Sequence, residues 1–333
     1  MRKIFIIIAF AAVVILATFF YFRHQVYYSH GTSKETVSFV IEKGEGNKII
    51  GERLEKERLI SGKYYFYYYV WSHKLTSQIL PDDYELSGTM AIPEIVLTVT
   101  KEQDKNIKVT FPEGWTSKQM AERLSAKGLT GDEFLKIVNN PGEIKNQYSF
   151  FTDPKIKTLE GYLFPETYFF TKEMDAETMA KKMLGIFNAK ITSQMQNDAL
   201  KNGKTLNEII IMASIIEGEV RTDEDRKIVS GIFWKRLKEG KALQSCATLT
   251  YVTGENKKQY SEADTKIQSL YNTYLYKGLP PAPISNPGLS AITTAIYPAK
   301  TTYNYFLSDP ETGKTIFSKT YEEHTANKTK YGL

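Results

Sequence analysis

The sequence predicts an α+β protein in three parts: a single transmembrane helix at the N-terminus, a small region of repeated α/β units, and a larger mixed α+β domain. Three observations carry this. An uncharged apolar run opens the chain, a strand–turn–helix pattern occurs twice at a spacing of 70 residues, and the second half joins a strand of aromatic residues to a helix that is apolar on nearly every side. With 333 residues there is material for two modest domains, and an apolar fraction of 42% beside 24% charged residues is that of folded protein.

The first element is "MRKIFIIIAFAAVVILATFFYFRHQ", whose uncharged stretch from Ile4 to Phe22 has the length a helix needs to cross a bilayer. Arg2 and Lys3 precede it and Arg23 follows. A cleaved signal peptide has a shorter apolar core ending in small residues. This run ends instead in Phe19, Phe20, Tyr21 and Phe22, the aromatic grouping of a membrane interface. The sequence therefore predicts an uncleaved anchor over residues 1–24, with the transmembrane helix at 4–22, and not a buried core helix. Basic residues flank both sides, so charge alone does not orient it, but a long polar domain after a first anchor points to export. Residues 25–35 are polar and aperiodic and read as a tether.

Residues 36–148 repeat themselves. "FVIEKGEGNKIIGERLEKERLISG" and "VTFPEGWTSKQMAERLSAKGLTGD" align without gaps over their central part, so that Ile41 falls on Phe111, Gly44 on Gly114, and Glu52-Arg53-Leu54 on Glu122-Arg123-Leu124. Each copy predicts a short strand, a Gly-containing turn and an amphipathic helix, with Ile49 and Leu54, or Met120 and Leu124, facing inward. Between the copies, "ILPDDYELSGTMAIPEIVLTVTKE" predicts a strand, a turn near Gly88 and a short helix or strand. Units this small suit an extended ligand better than catalysis. The helix "YYFYYYVW" (64–71) offers aromatic faces for stacking on sugars, although an aromatic helix is more often core.

From 149 to 333 the character changes. "LEGYLFPETYFFTKEMDAETMAKKM" predicts a loop around Gly161 and Pro165, an aromatic strand, and a helix beginning near Asp175. In "KTLNEIIIM", Thr205 and Glu208 fit a capping box, which fixes the start of the next helix. From Ile209 to Ile216 only Ser214 is polar, so this helix belongs inside the domain. It ends on two acids, Glu217 and Glu219. On a continuing helix these point about 200° apart and cannot serve one site unless Gly218 breaks the geometry. Glu217 shares a face with Ile210 and Ala213, a dry setting that raises a carboxylate's pKa as a general acid requires. Glu219 precedes "RTDEDRK" and is easier to explain as a salt-bridge partner of Arg221 or Arg226. A structural ion pair with one of those arginines is equally open for Glu217.

Composition narrows the partners. The net charge of +5 is spread along the chain without a basic run, so no nucleic acid is expected. Cys246 is the only cysteine and the four histidines are scattered, so no intramolecular disulfide and no metal site are expected.

"MASIIEGEV", "RLKEGKALQSCATLTYVTG", "YNTYLYKGLPPAPISNPGLSAITTAIYPA" and "FSKTYEEH", in this order after an N-terminal anchor, resemble the endolytic murein transglycosylase family, also called MltG or YceG-like. "LEGYLFPETY" resembles a further signature of the family, and the repeats are similar to its LysM-like subdomain. The resemblance spans nearly the whole chain. It implies that 36–148 is LysM-like, that 149–333 is the catalytic transglycosylase domain, and that Glu217 is the catalytic acid, with Glu219 supporting. Gln244, Thr248, Asn272, Tyr274 and Asn286 match polar positions that would bind sugar or scaffold loops. Some members have Asp-Pro where Cys246-Ala247 stands and a His where Thr315 stands, which puts any role of those family side chains in doubt here.

The resemblance further implies cleavage of the β-1,4 bond between N-acetylmuramic acid and N-acetylglucosamine within nascent peptidoglycan strands, leaving 1,6-anhydro ends and terminating elongation. It implies no cofactor, a cell-membrane location with the catalytic domain outside, and penicillin-binding or other cell-wall synthesis and division proteins as partners. Two rivals stand beside it. A water-using glycoside hydrolase would need a second carboxylate, with Glu160 and Glu166 as candidates. A membrane-tethered peptidoglycan-binding scaffold would need no catalytic acid at all.

Overall fold

The computed structural model describes residues 2–30, 35–101, 106–257, 259–309 and 311–332, with side chains from residue 9 onward. The chain divides into two units, Met1–Asp104 and Lys105–Leu333. The boundary expected near 148 thus falls more than forty residues earlier, because the second copy of the repeat packs into the larger unit's core through Val109, Phe111, Met120 and Leu124.

Unit 1 opens with α1 (Arg2–Tyr27), the one described helix long and apolar enough to cross a membrane, over Ala9–Tyr27 where side chains are described. Helix α1 runs past the expected end of the anchor into the segment read as a tether, and residues 31–34 of that tether lie outside the described residues. Then come β1 (Thr36–Ile41), α2 (Asn47–Lys56), α3 (Lys63–Ser72), β2 (Asp82–Ser87) and α4 (Ile92–Thr100). Strands β1 and β2 pair antiparallel with Phe39 opposite Tyr84, both fully buried. Helix α2 buries Ile50 and Leu54, one turn apart, and leaves Ile49 exposed, which corrects the expected inward position of Ile49. The segment expected as helix or strand is the helix α4. Pro93 sits in its first turn, where the missing N–H costs nothing.

Unit 2 begins with the second copy: β3 (Ile107–Thr110), α5 (Ser117–Ala126) and α6 (Gly131–Asn139), then a 3-10 turn (Gly142–Gln147) and β4 (Thr167–Phe170). Strand β4 pairs antiparallel with β3, Tyr168 opposite Val109. Both copies therefore build the same unit, two antiparallel strands enclosing two helices. Both turn on a glycine in the left-handed region, Gly44 at φ 87° and Gly114 at φ 78°, where a side chain would be strained.

Helices α7 (Ala176–Lys190), α8 (Ser193–Lys201) and α9 (Leu206–Glu217) follow. The capping box of α9 forms as expected. Thr205 N–H donates to Glu208 Oε2 at 2.8 Å and Glu208 N–H to Thr205 Oγ1 at 3.2 Å. Every residue from Ile209 to Ile216 is buried, so α9 is the central rod of the unit, each large apolar side chain contributing about 2 kcal/mol by burial. Around it stand α10 (Asp223–Lys238), α11 (Cys246–Thr253), the short α12 (Glu262–Thr265) and α13 (Leu289–Ile296), which packs along α9 through Ile292, Ala295 and Ile296. The hairpin β5 (Tyr305–Ser308) with β6 (Thr315–Ser318), and α14 (Tyr321–Lys330), complete the chain.

Candidate active site

Helix α9 stops at Glu217 because Gly218 is its C-cap, and a Cβ on Gly218 would lie 2.8 Å from that of Ala247. The chain turns there, so the two acids diverge into different surroundings.

Glu217 keeps one foot on the rod and its side chain among three other segments. Oε1 accepts from Arg226 Nη2 of α10 at 2.5 Å, and Oε2 accepts from the Gly288 N–H at 2.9 Å, at the N-terminus of α13. Its side chain is 6% exposed and that of Arg226 11%. The turn of the second repeat closes over it. A Cβ on Gly114 would stand 3.3 Å from Glu217 Cγ, and a Cβ on Gly288 would overlap the carboxylate of Glu113. Asp223 completes the cluster, its Oδ1 3.4 Å from Arg226 Nη1 and accepting from the Ser290 hydroxyl. Burial raises the pKa of Glu217. The Gly288 N–H and the Arg226 charge pull it down, while Glu113 and Asp223 push it up as burial does, and the outcome is upward.

The ion pair left open by the sequence is therefore present, with Arg226 and not Arg221. It is a one-point contact, not the two-point fork arginine can make, and Arg226 Nε is buried without a hydrogen-bond partner among the described residues. Two surface cavities of about 450 and 460 Å³ open on unit 2. The first is lined by Arg236, Gln244 and Tyr305 among others, the second by Phe150, Asp153 and Asn207, and neither reaches Glu217.

Glu219 does not pair with Arg221 or Arg226 as expected. Its Oε1 accepts from the Ser245 hydroxyl and, at 3.0 Å, from Ala247 N–H, so it caps α11, where helix N–H groups favour a negative charge. Its pKa is raised by burial against those bonds.

The expected sugar-binding residues separate into two groups. Asn286, Asn272 and Thr248 are fully buried, with their polar groups bonded within the protein, the arrangement of the scaffold alternative. Asn286 Oδ1 accepts from Gly161 and Leu163 N–H at 2.8 and 3.0 Å, and its Nδ2 donates to Trp115 O and Glu160 Oε1 at 3.0 and 2.7 Å. That uses its full capacity of two donors and two acceptors. Asn272 staples its own loop through Thr265 O, Ile267 O and Tyr274 N, and the Thr248 hydroxyl bonds Ser245 O and Thr273. Gln244 is exposed in the left-handed region at φ 51° beside the first cavity, and Tyr274 is half-buried with its hydroxyl 3.3 Å from Cys246 Sγ.

Glu160, a candidate second carboxylate, is held by Ser117 N–H at 3.0 Å, Ser117 Oγ at 2.5 Å and Asn286 at 2.7 Å, capping the start of α5. Burial lifts its pKa to about 7 against those bonds. Glu166 is exposed beside β4, and its backbone carbonyl accepts from Phe111 N–H. The acids that do approach Glu217, Glu113 and Asp223, were not singled out by sequence. One signal was available for Glu113: the aligned position of the first repeat is Lys43, so the two copies differ in charge beside their shared glycine.

Fold and site define the class first: an α+β protein with one apolar N-terminal helix, a duplicated strand–helix–helix–strand unit, and a buried acidic centre covered by the second copy's turn. The YceG-like family model matches residues 39–330, and the chain belongs to the YceG-like family. An endolytic murein transglycosylase of Bacillus subtilis (strain 168) is 31% identical to it over 313 residues, covering 90% of this chain and 86% of that protein. One of Streptococcus pneumoniae serotype 2 (strain D39) is 29% identical over 322 residues; the alignment spans 89% of this chain and 58% of that longer protein. The crystal structure of a yceG-like protein from Listeria monocytogenes superposes with a TM-score of 0.60 at 33% identity, over 89% of this chain and all of that one.

Proposed function

We propose that the chain is a membrane-anchored endolytic murein transglycosylase that cuts the β-1,4 bond between N-acetylmuramic acid and N-acetylglucosamine within nascent glycan strands, with Glu217 as its acid and base. The observation that carries this reading is the setting of Glu217: a carboxyl at the C-terminal end of a buried helix, its pKa raised by burial, with a helix N-terminus on one oxygen and a single arginine contact on the other. Relatives at about 30% identity named for this activity support it.

In the proposed reaction Glu217 gives its proton to the O4 of the leaving N-acetylglucosamine as the bond from muramic C1 breaks. As carboxylate it then takes the proton of the muramic C6 hydroxyl while that oxygen bonds to C1. The product end is a 1,6-anhydro ring and no water is consumed, so a second catalytic carboxylate has no part to play. The Arg226 contact favours the charged carboxylate, so loosening it would help Glu217 to hold a proton. The unpaired Nε supports this, because a purely structural pair gains nothing by leaving a buried donor unsatisfied. Glu219 supports the site by fixing α11 behind Gly218, and Gln244 and Tyr274 remain candidate sugar contacts.

In this reading α1 anchors the chain in the cell membrane with unit 2 outside, which holds the enzyme near strands as they leave the synthases and sets their length. Penicillin-binding proteins and division proteins are the partners this location would bring. The repeats act as LysM-like units on the glycan. Their matching strand–helix–helix–strand order supports this.

One observation favours a second reading. The close Glu217–Arg226 pair, with both side chains nearly covered, is also what a non-catalytic peptidoglycan-binding scaffold would display. Purified full-length chain in detergent, incubated with isolated sacculi, decides between them. Transglycosylase action releases strands with anhydro ends, and Glu217→Gln releases them at least about a hundredfold more slowly. Equal release by the variant, with its fold intact, assigns Glu217 to structure.

A further inference from the structure

The aromatic helix α3 is only half accounted for by the core. Phe66 and Val70 are buried in unit 1, but Tyr64, Tyr68 and Trp71, spaced i, i+4, i+7, form a stripe on one face and are 72%, 49% and 72% exposed. What lies beside that helix identifies the stripe's partner. Phe22, the last residue of the apolar run, meets Tyr65 and Tyr68 edge-on at 5.2 and 4.9 Å, Val26 is buried, and Tyr27 meets Tyr69 at 6.1 Å. Above this contact α1 is exposed from Ala9 to Tyr21, the part a bilayer would surround.

Heights along α1 follow from its rise. From Phe22 to Tyr27 the helix climbs about 7.5 Å, and the polar layer on each side of the hydrocarbon is roughly 5 to 8 Å deep. Helix α3 therefore sits at headgroup level. Its chemistry suits that layer: tyrosine and tryptophan present an apolar body with a polar tip, α3 itself contains no acid, and Lys74 follows exposed, while Lys63 pairs with Glu52 of α2 at 3.0 Å.

We infer that α3 is a second membrane contact, with Tyr64, Tyr68 and Trp71 inserted among phospholipid headgroups, so that unit 1 lies on the bilayer instead of swinging from its anchor. The inference rests on the reading of α1 as a membrane anchor. A glycan stacked on the stripe is the competing occupant, and the position of α3 at the foot of the apolar run favours lipid.

Tryptophan fluorescence of the full chain in phosphatidylethanolamine–phosphatidylglycerol vesicles tests it. Lipids carry a nitroxide either near the headgroup or at the end of the acyl chain, and Trp71→Phe subtracts the signal of Trp115 and Trp234. The Trp71 signal is expected to be quenched about twofold or more by the shallow nitroxide and less by the deep one. An unquenched Trp71 in vesicles from which alkaline carbonate cannot extract the protein overturns the contact and leaves the anchor standing. Extraction by carbonate overturns the anchor and this inference with it. A Trp71 signal indifferent to nitroxides but shifted by glycan strands gives the stripe to sugar.

Discussion

At Glu217 burial and charge act on one carboxyl. Burial, Glu113 and Asp223 raise its pKa, while Arg226 and the Gly288 N–H lower it. In the proposed role of Glu217 as general acid it works while protonated, so cleavage should fail as pH rises through that raised value. Replacing Glu113 by Gln removes a like charge, lowers the pKa of Glu217, and should move the alkaline limb of the kcat/KM profile to lower pH while Glu217 still turns over. An unmoved limb would show that Glu113 does not act on the catalytic proton. Glu160 makes a separate prediction about stability. Its folded pKa of about 7 lies above the 4.5 of a free carboxyl of its kind, so the folded state holds its proton more tightly than the unfolded chain. That contribution is fully present below about pH 4.5 and is lost as pH rises through 7, on the order of 3 kcal/mol. Denaturant titrations should show this fall for the native protein and a flatter profile for Glu160→Gln.

The elements show where sequence reading succeeds and why it fails elsewhere. Local chemistry was readable: the Thr205–Glu208 box starts α9, Asp175 caps α7, and the paired glycines 44 and 114 mark the two turns. Thr205→Ala should cost about 1 kcal/mol by exposing the first N–H groups of α9, measurable as a lowered denaturation midpoint with unchanged slope. What depends on contacts distant in sequence was not readable. Asn286 was a candidate sugar contact or loop scaffold by resemblance alone, and the bonds by which it joins segments around residues 115, 161 and 163 exist only where the fold brings them together. Glu219 and Arg226 are close in sequence and look like partners. The turn at Gly218 sends Glu219 to α11 instead and leaves the arginine to Glu217. The second repeat read as part of the small region because its pattern is local, whereas its core partners come from α7, α9 and α13.

On the scale of the whole molecule, the duplication has been put to two uses. The first copy, with Lys43 before its glycine, lies in the unit that carries α1; the second, with Glu113 there, closes over the end of α9. One unit type thus serves beside α1 and beside Glu217. The family assignment and the names of the relatives agree with a chain that works on peptidoglycan. Mass analysis of strand ends after digestion of sacculi, by the native chain and by Glu217→Gln, tests the central claim most directly. The account predicts ends lighter by one water from the native protein and a loss on the order of 10² to 10⁴ in rate for the variant. Reducing ends of full mass, or cleavage undiminished in a folded Glu217→Gln, would contradict it.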